Sequence, residues 1–145
     1  MTTAVKKITS DYYAEYKRTA KTKVLIPDRL HLHENTTLTG NSQLLEGKKA
    51  IIETLEKFFS LVSDVNIHHQ YFDHESSCTI LDVITIIPEI MIKTIIRLVV
   101  VDEGVSEITV YYDTLTWRNL IHKLQNQNSA VDYFQRRLSN QTTIS

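Results

Sequence analysis

From Val65 to Trp117 the chain is almost continuously β-forming. Four runs rich in Val, Ile, Thr and Tyr follow one another, the last reading Ile108-Thr-Val-Tyr-Tyr-Asp113-Thr-Leu-Thr-Trp117. Breaks this short join antiparallel neighbours, because parallel neighbours need a long crossover. Directly upstream, Gly47 to Val62 carries Ile51, Leu55, Phe58 and Val62 in one helical stripe, widened by Ile52 and Phe59. A helix with so wide an apolar face must bury it against the sheet. The expected fold is α+β: a curved antiparallel sheet wrapped around N-terminal helices, enclosing a pocket.

Around this centre, Val5, Ile8, Tyr12, Tyr16 and Ala20 predict a first helix from Val5 to about Thr22, with Ser10 and Asp11 as weak points. Pro27 blocks its continuation, and Arg29 to Glu34 alternates as a short strand. Asn35 to Leu45 is rich in Thr, Asn, Gly and Ser and is expected to be a loop forming a rim or lid. Strands are expected at about Asn66–His74, Cys78–Ile87, Met91–Asp102 and Glu107–Trp117, with hairpin turns at Pro88-Glu89-Ile90 and Glu103-Gly104. The Met91–Asp102 run is apolar at both parities, so both its faces should be covered. Helices can cover one face; a second copy on the outer sheet face covers the other, which predicts a homodimer. Beyond Trp117, Leu120, Ile121 and Leu124 suggest a short helix. Ser129 to Asp132 resembles a capping box opening a last helix, with Val131, Phe134 and Leu138 on one face. This C-terminal helical extension, about 118–140, could dock on the body or on the partner.

The 145 residues fit a single domain, 1–145, with a core of about 5–117. At 42% hydrophobic and 23% charged the composition is globular, and a net charge of −1 argues against a nucleic-acid binder. The Lys17, Arg18, Lys21 and Lys23 cluster reads as a solvated helix face. Cys78 is the single cysteine; it reads as a small buried hydrophobe in a reducing compartment, with no Lys or Arg near it in sequence to activate it. The N-terminus has no apolar signal region, and the most apolar stretch, Val83 to Val101, carries Pro88, Glu89, Lys93 and Arg97. No membrane is expected, and a cytoplasmic location is. The glycines Gly40, Gly47 and Gly104 stand singly, with neither a phosphate loop nor a nucleophile elbow, so no cofactor is expected.

The order of elements resembles the nuclear transport factor 2-like superfamily, and within it the SnoaL-like group of polyketide cyclases, ketosteroid isomerases and limonene-epoxide-hydrolase-like proteins. The matching landmarks are Leu32-His33-Glu34 at a strand end, the Gly47-Lys-x-Ala-Ile helix start, Asp102-Glu-Gly104 as the last hairpin and Tyr111-Tyr-Asp113 in the last strand. The resemblance implies a cone-shaped α+β barrel, commonly dimeric, with a deep apolar pocket for a small apolar ligand. It also implies a carboxylate base near the end of the first strand, where Glu34 stands, and a pocket-facing Asp113. The epoxide-hydrolase pattern of Asp-Arg-Asp is not met: Asp82 is preceded two residues earlier by Ile80, although Arg97 lies on the next run.

Four constellations could carry chemistry. In the first, a turn at Pro88-Glu89 sets Arg97 opposite Ile80 and diagonal to Asp82, with Asp113 on its far side. An arginine between two carboxylates can fix both, leaving one to orient a water or take a proton; the alternative is a structural ion pair. The second is Glu34, with His33 as competitor: if Leu30 and Leu32 face inward so does Glu34, and burial would tune its carboxyl toward neutral pH. In the third, His31, His33, His68, His69 and His74 invite a metal reading. Adjacent His68 and His69 point to opposite faces, and no glycine-bearing turn precedes His31-x-His33, so no metal is expected. The fourth comprises Tyr12, Tyr13 and Tyr16, whose phenols could donate to a ligand oxygen, Tyr16 above all. Tyr111 shares a strand face with Asp113, and Trp117 could wall the pocket. Together these describe cofactor-free acid–base chemistry (isomerisation, cyclisation, dehydration or epoxide hydrolysis) on an apolar oxygen-bearing ligand. The alternatives on the same fold are a non-catalytic dimeric interaction module and a ligand carrier.

Overall fold

A computed structural model describes residues 2–41, 43–86, 89–116 and 118. Trp117 and, apart from Arg118, the C-terminal extension lie outside the described residues. The order is α1 (Thr2–Thr22), a 3-10 turn (Pro27–Leu30), β1 (Leu32–Gly40), β2 (Gln43–Glu46), α2 (Lys48–Phe59), β3 (Val62–Phe72), β4 (Ser76–Thr85), β5 (Met91–Val101) and β6 (Gly104–Tyr112). The strands form one sheet in the order β2-β1-β6-β5-β4-β3. From β3 to β6 it is the expected antiparallel meander; β1 joins β6 in parallel, and the sheet stays open, with β2 and β3 as its edges. Both helices lie on the concave side, α1 over β3, β4 and β5 and α2 over β1, β2 and the start of β3. The α+β reading holds.

The helical stripes do the packing. Val5, Ile8, Tyr12, Tyr16 and Ala20 of α1 are all buried, as are Ile51, Leu55 and Phe59 of α2. Against them β4 presents Leu81 and Val83, β5 Ile92, Ile96 and Leu98, and β6 Ile108. Ser10 and Asp11 do not interrupt α1, because a helix held by tertiary packing tolerates weak formers on its exposed side. It ends at Lys23, which takes a left-handed conformation with φ 65°. No described helix is long and apolar enough to cross a membrane.

Four local expectations need correction. Arg29 and Leu30 are not strand: Pro27 starts a 3-10 turn that His31 closes in a left-handed conformation. The segment 35–45 is not a loop or lid but most of the β1–β2 hairpin, because Thr36, Thr37 and Thr39 are β-branched and favour strand despite their polarity. The second helix stops at Phe59, and Val62 already belongs to β3. Finally, the β4–β5 register is shifted by two residues: Arg97 lies opposite Cys78, and Asp82 opposite Lys93.

In β5, Ile92, Thr94, Ile96, Leu98 and Val100 face the helices. The other parity faces outward, and Met91, Ile95 and Val101 are 60%, 37% and 45% exposed. The run is apolar on both sides, as its sequence shows, but the described residues cover only the inner one.

Candidate functional site

Most polar groups of the interior come from α1 and the concave face of β4, with Thr36 of β1 and Thr94 of β5 also buried. Helical spacing brings Tyr12 and Tyr16 onto one face, and their hydroxyls share a hydrogen bond. Tyr13 projects beside them toward β4, its ring edge-on to both at 5.1 and 5.6 Å between centroids. Phe59 of α2 closes the cluster, edge-on to Tyr16 at 5.0 Å. Alternation along β4 turns Ser77 and Thr79 inward: Ser77 meets Thr9 of α1 at 2.8 Å between hydroxyl oxygens, and Thr79 accepts a long hydrogen bond from Gln70. The Tyr13 hydroxyl leans toward Thr79, yet among the described residues it makes no well-formed hydrogen bond.

Counting protons shows what this cluster can do. A phenol donates one hydrogen. In the Tyr12–Tyr16 pair one hydroxyl donates to the other, so the second proton has no acceptor among the described residues. Tyr13 adds another. Burial pushes all three phenols well above their ordinary values, and for Tyr12 the neighbouring Tyr16 and Tyr13 push further the same way. All three therefore stay neutral donors at physiological pH.

The expected acid–base trio is not brought together. Arg97 is exposed on the outer face. Asp82 shares that face but is buried beneath His68, whose Nε2 meets its Oδ2; its Oδ1 has no hydrogen-bond partner among the described residues. Alternation from inward Ile67 puts His68 on this outer face, and the bulge that follows Ile67 sets His69 there too, opposite Ile80. Asp113 lies just beyond β6, exposed, where its carboxylate caps the next turn by accepting from the Leu115 and Thr116 backbone N–H groups and the Thr116 hydroxyl. The Thr116 bonds hold Asp113 below the ordinary carboxylate range. Tyr111 points outward and Tyr112 inward, the reverse of what the resemblance implies for this strand.

Glu34 is exposed, because β1 shifts register between Leu32 and Thr37 and Thr36 takes the inward position. His33 does not line the interior: its Nε2 meets the Val101 carbonyl and its ring covers Gly104, where a Cβ would come within 2.6 Å of it. His31 ties the 3-10 turn to α1 through Asp11 at 2.8 Å. Among the described residues, no group of three or more His, Cys, Asp or Glu side chains could hold a metal ion. The inward carboxylate that sequence reading missed is Glu15. Burial pushes it up, but Arg18, the Ile26 N–H and Thr19 outweigh this and hold it below the ordinary range. Its oxygens are committed to Arg18, Thr19 and Ile26, so it ties the end of α1 to the chain that follows.

A six-stranded open sheet curved over two helices, with polar groups on its concave side, matches solved structures closely in shape. A protein from Kribbella flavida DSM 17836 superposes with a TM-score of 0.72 at 13% identity, covering 87% of this chain and 99% of that one. An NTF2-like protein of unknown function from Cytophaga hutchinsonii ATCC 33406 gives 0.59 at 19%, covering 75% and 93%. A SnoaL-like polyketide cyclase candidate from Jannaschia sp. CCS1 gives 0.64 at 11%, covering 77% and 90%. The chain has the NTF2-like fold. No family model matches it, and no curated protein does. Within the NTF2-like fold, side chains rather than architecture decide what the interior does.

Proposed function

We propose that the concave interior of this NTF2-like domain binds a small apolar ligand carrying an oxygen acceptor. Tyr13 and the Tyr12–Tyr16 pair are its hydrogen-bond donors. The observation that carries this reading is the two buried phenol protons that make no well-formed hydrogen bond among the described residues. A buried donor left unpaired costs about 1–3 kcal/mol, which a ligand oxygen recovers on binding. None of Asp82, Arg97, Asp113 and Glu34 supplies a base beside these phenols, so the reading is of binding, with any catalysis limited to what neutral donors supply. The likeness to the Jannaschia SnoaL-like polyketide cyclase candidate supports starting from polyketide-like compounds.

The test is a thermal-shift screen of hydrophobic ketones, epoxides and polyketide-like compounds against wild type, Tyr13→Phe and Tyr16→Phe. Because Tyr13 loses no described hydrogen bond, the unliganded Tyr13→Phe protein should melt no lower than wild type. A hit should bind the variants about five- to tenfold more weakly, the worth of one hydrogen bond of about 1 kcal/mol. Equal affinity in all three proteins, or silence across the library, overturns the reading.

A second reading concerns assembly. Tyr71, Met91, Ile95, Val101 and Tyr111 stand exposed on the outer sheet face, with Ile95 and Tyr111 directly paired across β5 and β6. These apolar side chains, interspersed with outward Lys93 and Arg97, support a homodimer formed through this face. A cytoplasmic location belongs with this reading as a proposal, resting on the lone Cys78.

A further inference from the structure

The outer face of the sheet carries one charged group that it does not satisfy. Asp82 is 4% exposed, and its Oδ2 meets His68 while its Oδ1 has no hydrogen-bond partner among the described residues. Its direct cross-strand neighbours are both polar: Asn66 on β3 and Lys93 on β5. Both are exposed, and neither bonds to Oδ1. Lys93 forms no ion pair among the described residues, whereas the other outward cation of β5, Arg97, is attracted to Asp73 just beyond β3. Register sets this polar row between two apolar ones. Ile84 and Met91 lie on one side of it, and Ile80, Ile95 and Tyr111 on the other.

We propose that this row is the polar lock of the homodimer, in which Asp82 of each copy receives the Lys93 ammonium of the other. The lock rests on the homodimer proposed above through the outer face, and it names the contact that fixes how the two copies meet. Charge favours the pairing. A buried carboxylate oxygen without a donor is destabilising, and the same face offers an exposed ammonium of opposite sign. Symmetry favours it as well. In a two-fold interface, a contact from residue i to residue j is repeated from j to i. One acceptor and one donor adjacent in a single row therefore supply two identical pairs with no further partner. The surroundings strengthen them, because the apolar rows on either side exclude water when two faces meet, and an enclosed ion pair is screened little by salt. Packed sheets lie about 10 Å apart, a gap that a lysine and a carboxylate side chain span together. Apolar contact gives such a face its affinity, and the charge pair sets its register.

The test is sedimentation equilibrium of wild type, Lys93→Asp and Asp82→Lys, with each variant run alone and the two mixed in equal amounts. Wild type should be a dimer, and each variant alone should dimerise at least about tenfold more weakly. The mixture should regain dimers, because a mixed pair carries one native contact and one with its charges exchanged. Wild-type affinity in Lys93→Asp overturns the lock and leaves an apolar dimer. Absence of rescue, with both variants folded by circular dichroism, overturns it too, because mixing does not restore an Asp82–Lys93 pair within one copy. A monomeric wild type overturns the dimer itself. If Asp82→Lys does not fold, Asp82→Asn replaces it. In that background Lys93→Ala should leave the dimer constant unchanged, and an effect as large as on wild type overturns the lock.

Discussion

At the scale of single residues, side chains of α1 and the turn after it hold the structure together by reaching for backbone and charge elsewhere. Lys23 is the clearest case. Left-handed at the end of α1, it sends its ammonium to the carbonyls of Phe59 (3.1 Å) and Val62, where α2 ends and β3 begins. Charge-assisted bonds to orphan helix-end carbonyls are among the stronger kinds. Lys23→Ala should lower unfolding stability by about 1–2 kcal/mol in urea titration; no change would mean that water serves those carbonyls equally well. Asp11 carries a pH dependence. The His31 hydrogen bond holds its carboxyl below the ordinary 3.8, with burial opposing and Lys7 assisting. A carboxylate with a depressed folded value stabilises the protein above its unfolded value, and that contribution fades as pH falls through the folded value. His31→Asn tolerates the left-handed backbone but removes the imidazole. It should therefore flatten the loss of stability in urea titrations between about pH 5 and 2; an acid limb as steep as wild type would show that the pair contributes nothing.

At the scale of elements, the question is how an open sheet manages its ends and turns. β3 is an edge strand, and Val65 has neither backbone group in the ladder: its N–H donates to the Asp64 carboxylate and its carbonyl accepts from Lys17. Both groups are thus denied to a passing strand. The β5–β6 turn is strained, since Asp102 and Glu103 have φ of 50° and 59°. A two-residue turn of this type I′ kind needs positive φ at both central positions, which Gly meets more easily than Glu. Glu103→Gly should therefore raise stability by about 1 kcal/mol in equilibrium unfolding. A loss instead would show that the Glu side chain offsets its own strain. These elements also show the limits of reading local pattern. Alternation along β4 does place Thr79 and Ser77 on the inner face. Alternation along β3 does not place His69, because a bulge is a two-strand property and nothing in Ile67-His68-His69 announces it. Glu34 was misplaced for the same reason: alternation from Leu32 was carried through an irregularity in β1.

At the scale of the whole molecule, the outer sheet face sets a prediction for assembly. Ile95→Glu places a carboxylate in the middle of the exposed apolar band, directly opposite Tyr111. Sedimentation should find wild type as a dimer at micromolar concentration and the variant as a monomer with unchanged circular dichroism. A monomeric wild type would refute the dimer. The sequence by itself determined the two helices with their stripes, the meander from β3 to β6 and the apolar outer parity of β5. All of these follow from periodicity, which local backbone geometry imposes on neighbouring residues. Only the tertiary structure decided which polar groups meet. The two-residue shift between β4 and β5 separates Arg97 from Asp82, and the end of β6 turns Asp113 into a cap. The crossing of α1 over β4 leaves Tyr13 beside Thr79 with a proton to give. Strand register and helix placement minimise the free energy of the whole core at once, so no single segment encodes them.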